Sequence, residues 1–303
     1  MNKNKFRIKS PFDGIELVCT VYEPDVAPKG ILQIVHGMGE HTVRYQTMMK
    51  YFAEHGYVVA MHDQRGHGES AATIEDRGWF NDRKAKAVVE DAFAFTQELK
   101  RAYPDLPIYL FGHSMGSMVV RCYIQNYDTE IKKLIVCGSP SSNPLAGVAA
   151  LIARFVGLIK GERYRSKTLA YISTGKGNKP FESEGPGAWL NHDRENVEAY
   201  YNDPYCGFIF TCNGFENLFR LMKNTYTKRL YKVRNPELPI HFVSGSEDAV
   251  LVNENKWLQS HNFLREVGYK NVSGKLYHGL RHEIHNEPEK QTVFQDLLNF
   301  IEE

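Results

Sequence analysis

The chain reads as an α/β protein: a mostly parallel central sheet covered by helices on both faces, interrupted once by a mainly helical insertion. Three observations carry this reading. Short, continuously apolar runs at 30–35, 57–62, 108–111 and 133–138 alternate with helical patterns, and strands that are apolar on both sides belong to sheets covered on both faces. One of these runs, Ile108-Tyr109-Leu110-Phe111, passes straight into Gly112-His113-Ser114-Met115-Gly116-Ser117 and then into a helical stretch to Tyr127. The alternation then stops over residues 139–235 and resumes as a strand at 238–244. An interval of that length is too long for a loop and too poor in strands for a second sheet, so it reads as a helical cap. The expected division is a core of 1–138 and 236–303 with a cap of 139–235.

The bulk numbers narrow the classes. The 303 residues suffice for one large α/β domain with an insertion. With 37 basic and 36 acidic residues the net charge is +1, which gives no electrostatic reason to expect nucleic acid or an anionic membrane as the main partner. The five cysteines, Cys19, Cys122, Cys137, Cys206 and Cys212, are odd in number and lack CxxC spacing, and the opening Met1-Asn2-Lys3-Asn4-Lys5 leads into no apolar stretch. A reduced, cytoplasmic setting is therefore expected.

In chain order, residues 6–10 and 15–22 flank the turn sequence Pro11-Phe12-Asp13-Gly14 and read as an antiparallel hairpin at a sheet edge. The strand at 30–35 ends in His36-Gly37-Met38-Gly39-Glu40-His41 and is followed by a helical pattern over 42–55. A dinucleotide fingerprint would want a third glycine where Thr42 stands. The glycines then mark either a plain tight turn or a loop offering the Met38 N–H as half of an oxyanion hole. The strand at 57–62 leads to Asp63-Gln64-Arg65-Gly66-His67-Gly68-Glu69-Ser70, where Asp63 and Arg65 read as braces of neighbouring loops, and a helix is expected over 83–103.

Gly112-His113-Ser114-Met115-Gly116 between a strand and a helix is the pattern of a nucleophile elbow. The turn leaves no room for Cβ atoms beside the serine, and the helix start directs free N–H groups, Met115 first, at whatever the serine attacks. The pentapeptide alone is weak; its strand-turn-helix context makes it specific.

Within the insertion, residues 145–159 are apolar around most of the helical circumference, broken by Arg154 and too short to span a membrane. Such a helix is buried, lines an apolar channel or touches lipid. Residues 175–187, rich in Gly, Pro and charge, read as a mobile loop. Past the strand at 238–244, Gly245-Ser246-Glu247-Asp248 puts an acid at the C-terminal rim of the sheet, where open α/β sheets bind ligands. Asp248 is the expected partner of a histidine; its alternative role is to cap the helix expected over 255–267, and Glu247 competes with it. After the strand at 272–277, His278, His282 and His285 compete. The chain order nucleophile, acid, histidine puts the base on the loop after the last strand, and His278 is nearly still in the strand, so His282 is preferred. His282-Glu283-Ile284-His285-Asn286 lacks the spacing of a zinc motif.

With these residues in place, the chain resembles an α/β-hydrolase of the monoglyceride lipase and lysophospholipase group. The resemblance runs through His36-Gly37-Met38-Gly39-Glu40-His41, the loop at 63–70, the elbow, Gly245-Ser246-Glu247-Asp248, Arg281-His282-Glu283-Ile284-His285 and, in the cap, Tyr200-Tyr201-Asn202-Asp203-Pro204-Tyr205-Cys206. Trp189-Leu190-Asn191-His192-Asp193 is similar to bacterial lysophospholipase-like members, and residues 160–187 match no pattern of the group. The resemblance implies ester hydrolysis through an acyl-enzyme on Ser114, with His282 as base, Asp248 orienting it, and Met38 and Met115 as oxyanion donors. It also implies Glu40, Arg44, Tyr200 and His285 around the glycerol end of a monoacylglycerol. No cofactor or metal is required. The expected partner is a small lipid ester, with peripheral contact to micelle or membrane through the cap; a lysophospholipase or general carboxylesterase is the runner-up. An aminopeptidase of the same fold would instead recruit cap carboxylates such as Glu182, Glu184 and Asp193 for the substrate amine.

Overall fold

The computed structural model describes residues 1–175 and 177–303; Lys176, within the loop expected over 175–187, lies outside the described residues. Eight strands among the described residues form one sheet: β1 (Asn2–Lys9), β2 (Glu16–Glu23), β3 (Gly30–Val35), β4 (Tyr57–His62), β5 (Ile108–His113), β6 (Lys133–Cys137), β7 (Ile240–Gly245) and β8 (Val272–Tyr277), in the order β1-β2-β4-β3-β5-β6-β7-β8. β1 and β2 form the expected antiparallel hairpin at one edge, β2 runs antiparallel to β4, and all later pairings are parallel.

The continuous apolar runs follow from this layering. Along β3, Ile31 and Val35 enter one core while Leu32 and Ile34 enter the other, and along β5 Leu110 and Phe111 divide in the same way. Every second side chain serves a different face, so both must be apolar. Helices α2 (Ala87–Ala102), α3 (Met115–Tyr127) and α8 (Glu254–Val267) supply the first core, through Phe95, Val119 and Leu264; α1 (Gln46–Glu54) and α9 (Lys290–Glu302) supply the second, through Phe52 and Phe294. The pattern read as one helix over 42–55 begins as a 3-10 turn, Thr42–Tyr45, before α1. Asp63 and Arg65 do brace loops: Asp63 accepts from the N–H and hydroxyl of Thr42 and from the Glu69 N–H, and buried Arg65 bridges Asp13 and Asp91.

Between β6 and β7 lie α4 (Ala146–Lys160), α5 (Lys167–Thr174), α6 (Arg194–Asn202) and α7 (Cys212–Thr225). α7 packs on α3, and α4 packs on α7. In α4 the residues that are buried are the small ones, Ala146, Ala150, Ala153 and Gly157, spaced along one stripe. They admit a close approach: a Cβ at Gly157 would stand 3.2 Å from Cys212 Cβ. The large residues Leu145, Val148, Leu151, Ile152, Phe155, Leu158 and Ile159 are 45–66% exposed, which overturns simple burial for this segment. The described part of the stretch read as a loop over 175–187 has local structure. It forms a 3-10 turn, Lys179–Glu184, with Phe181 buried and Glu184 held by both nitrogen-oxygen contacts of Arg281 at 2.8 Å.

Candidate active site

The loops at the carboxyl ends of β3, β5, β7 and β8 meet on one rim, and each delivers one part of the site. Ser114 follows β5 directly and takes φ 54°, ψ −116°, a conformation that L-residues adopt only under constraint. Its N–H donates to the Cys137 carbonyl at 2.9 Å, fixing the turn to β6. The flanking glycines are steric necessities: a Cβ at Gly112 would lie 2.5 Å from the Gly116 carbonyl oxygen and 2.6 Å from Val120 Cγ2, and one at Gly116 would overlap the Val35 carbonyl of β3.

His282, on the loop after β8, places Nε2 2.9 Å from Ser114 Oγ, and its Nδ1 stands 2.9 and 3.0 Å from the two carboxylate oxygens of Asp248. Asp248 is itself held by the Ser244 hydroxyl at 2.7 Å and the Val250 N–H at 2.9 Å. The capping alternative resolves cleanly, because α8 is capped by Asn253, while Asp248 caps only the 3-10 turn after it and still faces His282. Glu247 points to His192 and Arg281 instead, and His278 is exposed. Burial alone would push the Asp248 carboxyl up and the His282 imidazole down. The mutual charge attraction and hydrogen bond, together with the donors to Asp248, outweigh burial, so Asp248 lies below its ordinary value and His282 above.

A second buried array supports the loop after β3. Glu40 Oε1 accepts from the Gly37 N–H at 2.5 Å and the Tyr45 hydroxyl at 2.8 Å, and lies 3.2 Å from His113 Nδ1. His113 Nε2 donates to the His282 carbonyl at 3.2 Å, so the elbow histidine ties the loop after β3 to the loop carrying His282. Burial raises the Glu40 carboxyl, but the His113 hydrogen bond and the surrounding histidines more than reverse this and hold it well below the usual carboxylate range. Glu40 Oε2 has no hydrogen-bond partner among the described residues.

Ser114 and His282 open into a cavity of about 610 Å³ whose wall includes Met38, Met115, Glu40 and Tyr200. Met115 is the first residue of α3, so its N–H has no intrahelical acceptor. Of the four residues expected around an alcohol group, Glu40 and Tyr200 reach this wall and Arg44 and His285 do not. Arg44 is drawn back by an ion pair with buried Glu283 and lies 5.3 Å from the Tyr200 ring. His285 is stacked on Tyr45 at 4.6 Å, edge-on to His113 at 4.7 Å, and neither ring nitrogen finds a hydrogen-bond partner among the described residues. Burial and the neighbouring His113 keep it neutral far below the usual histidine range. The lining also includes the apolar side chains of Met118, Leu218, Phe219 and Ile172.

Sequence reasoning missed Trp189, which lines the cavity with its ring 5.0 Å from that of His282, and Lys256, a cation at the wall. It also missed the bracing by Tyr45, Ser244 and His113. The elbow motif contained His113 and the helical pattern over 42–55 contained Tyr45, but nothing in their spacing showed which way they turn. Two groups among the described residues bring three metal-capable atoms within 4.8 Å of one another, His41–Asp203–Cys206 and His113–Cys137–His285. In the first, His41 and Asp203 already bond each other at 2.8 Å; in the second, His113 is committed to Glu40 and His282.

This elbow, histidine loop and sheet order define an α/β-hydrolase. The chain belongs to the Hydrolase_4 family, described as serine aminopeptidase, S33, whose model matches residues 26–289. Within that fold it falls in the monoglyceride lipase and lysophospholipase-like group. It is 27% identical over 288 residues to a monoacylglycerol lipase of Mycolicibacterium smegmatis, covering 95% of this chain and 93% of that protein. Against a phospholipase of Bacillus subtilis the identity is 25% over 285 residues, covering 91% and 96%. A thermostable carboxyl esterase from Bacillus coagulans, solved in complex with glycerol, aligns with a TM-score of 0.91 at 28% identity over 100% of this chain and 98% of its own.

Proposed function

We propose that this protein is a serine ester hydrolase that cleaves monoacylglycerols through an acyl-enzyme on Ser114. The observation that carries the reading is the line Ser114 Oγ, His282 Nε2 and Nδ1, Asp248 at hydrogen-bonding distances, opening on a cavity lined by both apolar and polar side chains. Ser114 Oγ attacks the ester carbonyl while His282 Nε2 takes its proton, and the carbonyl electrons move to an oxyanion held by the Met38 and Met115 N–H groups. His282 then gives that proton to the departing glycerol oxygen. Water, deprotonated by His282, attacks the acyl carbonyl; as the bond to Ser114 Oγ breaks and the acid leaves, His282 returns the proton to Ser114 Oγ. Asp248 keeps the proton on Nδ1 before the step and stabilises the imidazolium during it.

The polar residues of the lining favour glycerol over a charged head group. Glu40 and Tyr200 suit hydroxyls, and Arg44, the cation nearest them, is spent on Glu283. One observation keeps a lysophospholipid as the second reading: Lys256, at the wall near Val250 and Val252, carries a cation that could meet a phosphate. The aminopeptidase reading loses its anchors, since Glu184 is paired with Arg281, Asp193 caps α6, and Glu182 is exposed away from the cavity wall. The division into core (1–138, 236–303) and cap (139–235), and contact of the exposed α4 face with lipid, belong to the same proposal. Among the described residues no helix is long and apolar enough to cross a membrane.

The test is kcat/KM for a monoacylglycerol, the lysophosphatidylcholine of equal chain length and an aminoacyl amide, all below micellar concentration, with mass spectrometry of the protein after an alkyl phosphonate. Modification of Ser114 and preference for the monoacylglycerol are expected. Preference for the phospholipid would refute the glycerol reading, and an unmodified Ser114 with undiminished turnover would refute the mechanism.

A further inference from the structure

Both nitrogens of the His282 ring are engaged, Nδ1 with Asp248 and Nε2 with Ser114 Oγ. Two other rings lean on it. His113, at the end of β5, has its centroid 4.7 Å away, and Trp189, from the cap, stands at 5.0 Å with an interplanar angle of 33°. His282 is only 2% exposed although it lines the cavity of about 610 Å³, which Trp189 also lines. The two hydrogen bonds do not last through the reaction. Once Ser114 Oγ carries an acyl group, Nε2 has lost that partner, and the ring must stay in place beside an open cavity until it activates water.

The placement of the indole follows from how this part of the cap is fastened. Residues on either side of Trp189 bond residues on either side of His282. The Ala188 carbonyl accepts from Arg281 Nη1 at 2.7 Å, and the Leu190 carbonyl accepts from the Glu283 N–H at 2.9 Å. Trp189 is thereby set opposite His282. Glu287, fully buried, adds a third tie by accepting from the Arg281 N–H at 2.9 Å and from the His192 N–H at 3.1 Å. The Arg281 guanidinium is itself held, 4.1 Å from the Phe181 ring and with both Glu184 oxygens at 2.8 Å, and the Trp189 N–H donates to Asn178 Oδ1 at 3.3 Å. Lining a pocket requires no such register; holding one ring against another does.

We propose that Trp189 is a positioning residue for the catalytic histidine, an indole that the cap holds against the His282 ring. The inference rests on the reading above in taking His282 as the base. Two physical effects follow. The indole blocks the swing of the imidazole toward the cavity while Ser114 is acylated. Its π face also attracts the imidazolium and not the neutral ring, an attraction strongest for tryptophan among the aromatics and effective within about 6 Å. That contact is stronger in the transition state, where His282 is charged, than in the resting enzyme, so it acts on kcat. The cap then completes the catalytic machinery for every ester, short ones included.

The first readout is hydrolysis of p-nitrophenyl acetate, whose acyl group is too short to use the apolar lining, with a thermal melt for each variant. Trp189→Ala should lower kcat about tenfold rather than raise KM, Trp189→Phe should restore kcat to within about threefold of the parent, and Trp189→Leu, apolar without a π face, should stay near the alanine value. The second readout needs no turnover. An imidazolium quenches an adjacent indole more strongly than a neutral imidazole does. The emission contributed by Trp189, taken as the difference from Trp189→Phe with Trp79 and Trp257 as common background, should fall as pH drops through the titration of His282. The other ionisable groups near this pair are Asp248, Glu40, Glu283 and His113 around His282, and His192 on the segment of Trp189. His282→Gln leaves all of them in place and should abolish the change. A raised KM at unchanged kcat, leucine serving as well as phenylalanine, or emission that does not titrate or titrates alike in His282→Gln would overturn the proposal. Ser114 left unmodified by the alkyl phosphonate, with turnover undiminished, would refute the serine esterase reading instead, and the emission titration would then decide by itself whether the indole holds His282.

Discussion

Replacing Asp248 by asparagine removes one charge from a site where every donor is already placed. The Val250 N–H at Oδ1 can only donate, whereas the Ser244 hydroxyl at Oδ2 can turn and accept. The amide therefore settles with its oxygen toward Val250 and its NH2 toward Ser244. His282 Nδ1 then stands 2.9 Å from the position taken by the amide oxygen and 3.0 Å from that taken by the amide nitrogen. One neighbour wants the proton on Nδ1 and the other wants it on Nε2; the second tautomer has no lone pair for Ser114. Loss of a buried charge-assisted bond is worth about 1.5–3 kcal/mol, and stabilisation of the imidazolium in the transition state is lost with it. Together these give a fall in kcat of about 10² to 10⁴, the upper end matching what a lost tautomer preference does in such triads. The assay is steady-state hydrolysis of a soluble p-nitrophenyl ester, with a thermal melt to show that the variant is folded. Ser114→Ala with and without Asp248→Asn should give the same residual rate, because the three groups act as one unit. Asp248→Asn retaining activity within about tenfold of the parent would refute the assigned role.

The raised His282 value sets the acid limb of the pH profile. The base works only when neutral, so kcat/KM should fall as pH drops through a value above the ordinary histidine figure of about 6.5, and Asp248→Asn should move that limb to lower pH; an unmoved limb would show that another group titrates. In stability the sign is opposite: the His282–Asp248 attraction is fully present below pH of about 6.5 and decays as pH rises through the raised value, which a urea titration at several pH values reads. Glu40→Gln removes the charge that its three buried partners share, so stability should fall by about 2 kcal/mol and the monoacylglycerol preference over lysophosphatidylcholine should narrow; an unchanged preference would remove Glu40 from the alcohol site. Aspartates at Phe155 and Leu158, both more than 60% exposed, should depress hydrolysis of micellar long-chain substrate more than that of a soluble short ester, and equal losses would show that this face does not meet lipid.

How much of this was readable beforehand depended on whether the information was local. The central strands β3, β4, β5 and β6 were legible because each is buried on both faces, so its run is almost wholly apolar, and the elbow because glycines at 112 and 116 are demanded by atoms within a few residues or one strand away. The order Ser114, Asp248, His282 was legible because chain order fixes which strand end each occupies. The insertion was not. Its helix 145–159 looks apolar all round, and only the packing of α4 on α7 shows that small residues were selected for the inside and large ones left outside.

Side-chain direction was the other gap. Arg44 stands just beyond the 36–41 loop and His285 within the 281–285 motif, yet Arg44 is withdrawn by Glu283 and His285 is stacked on Tyr45, so neither reaches the cavity wall. Trp189 reaches it from a turn without any periodicity to announce it, and Arg121 is an unremarked arginine on a helix until tertiary packing buries it among aromatic rings. The sequence by itself determined which backbone positions could hold a strained serine, an acid and a histidine on one rim, because backbone sterics and strand periodicity are set by near neighbours. Which polar side chains face the cavity was decided only in the fold, because that depends on which of several charged partners, far apart in the chain, first satisfies each buried group.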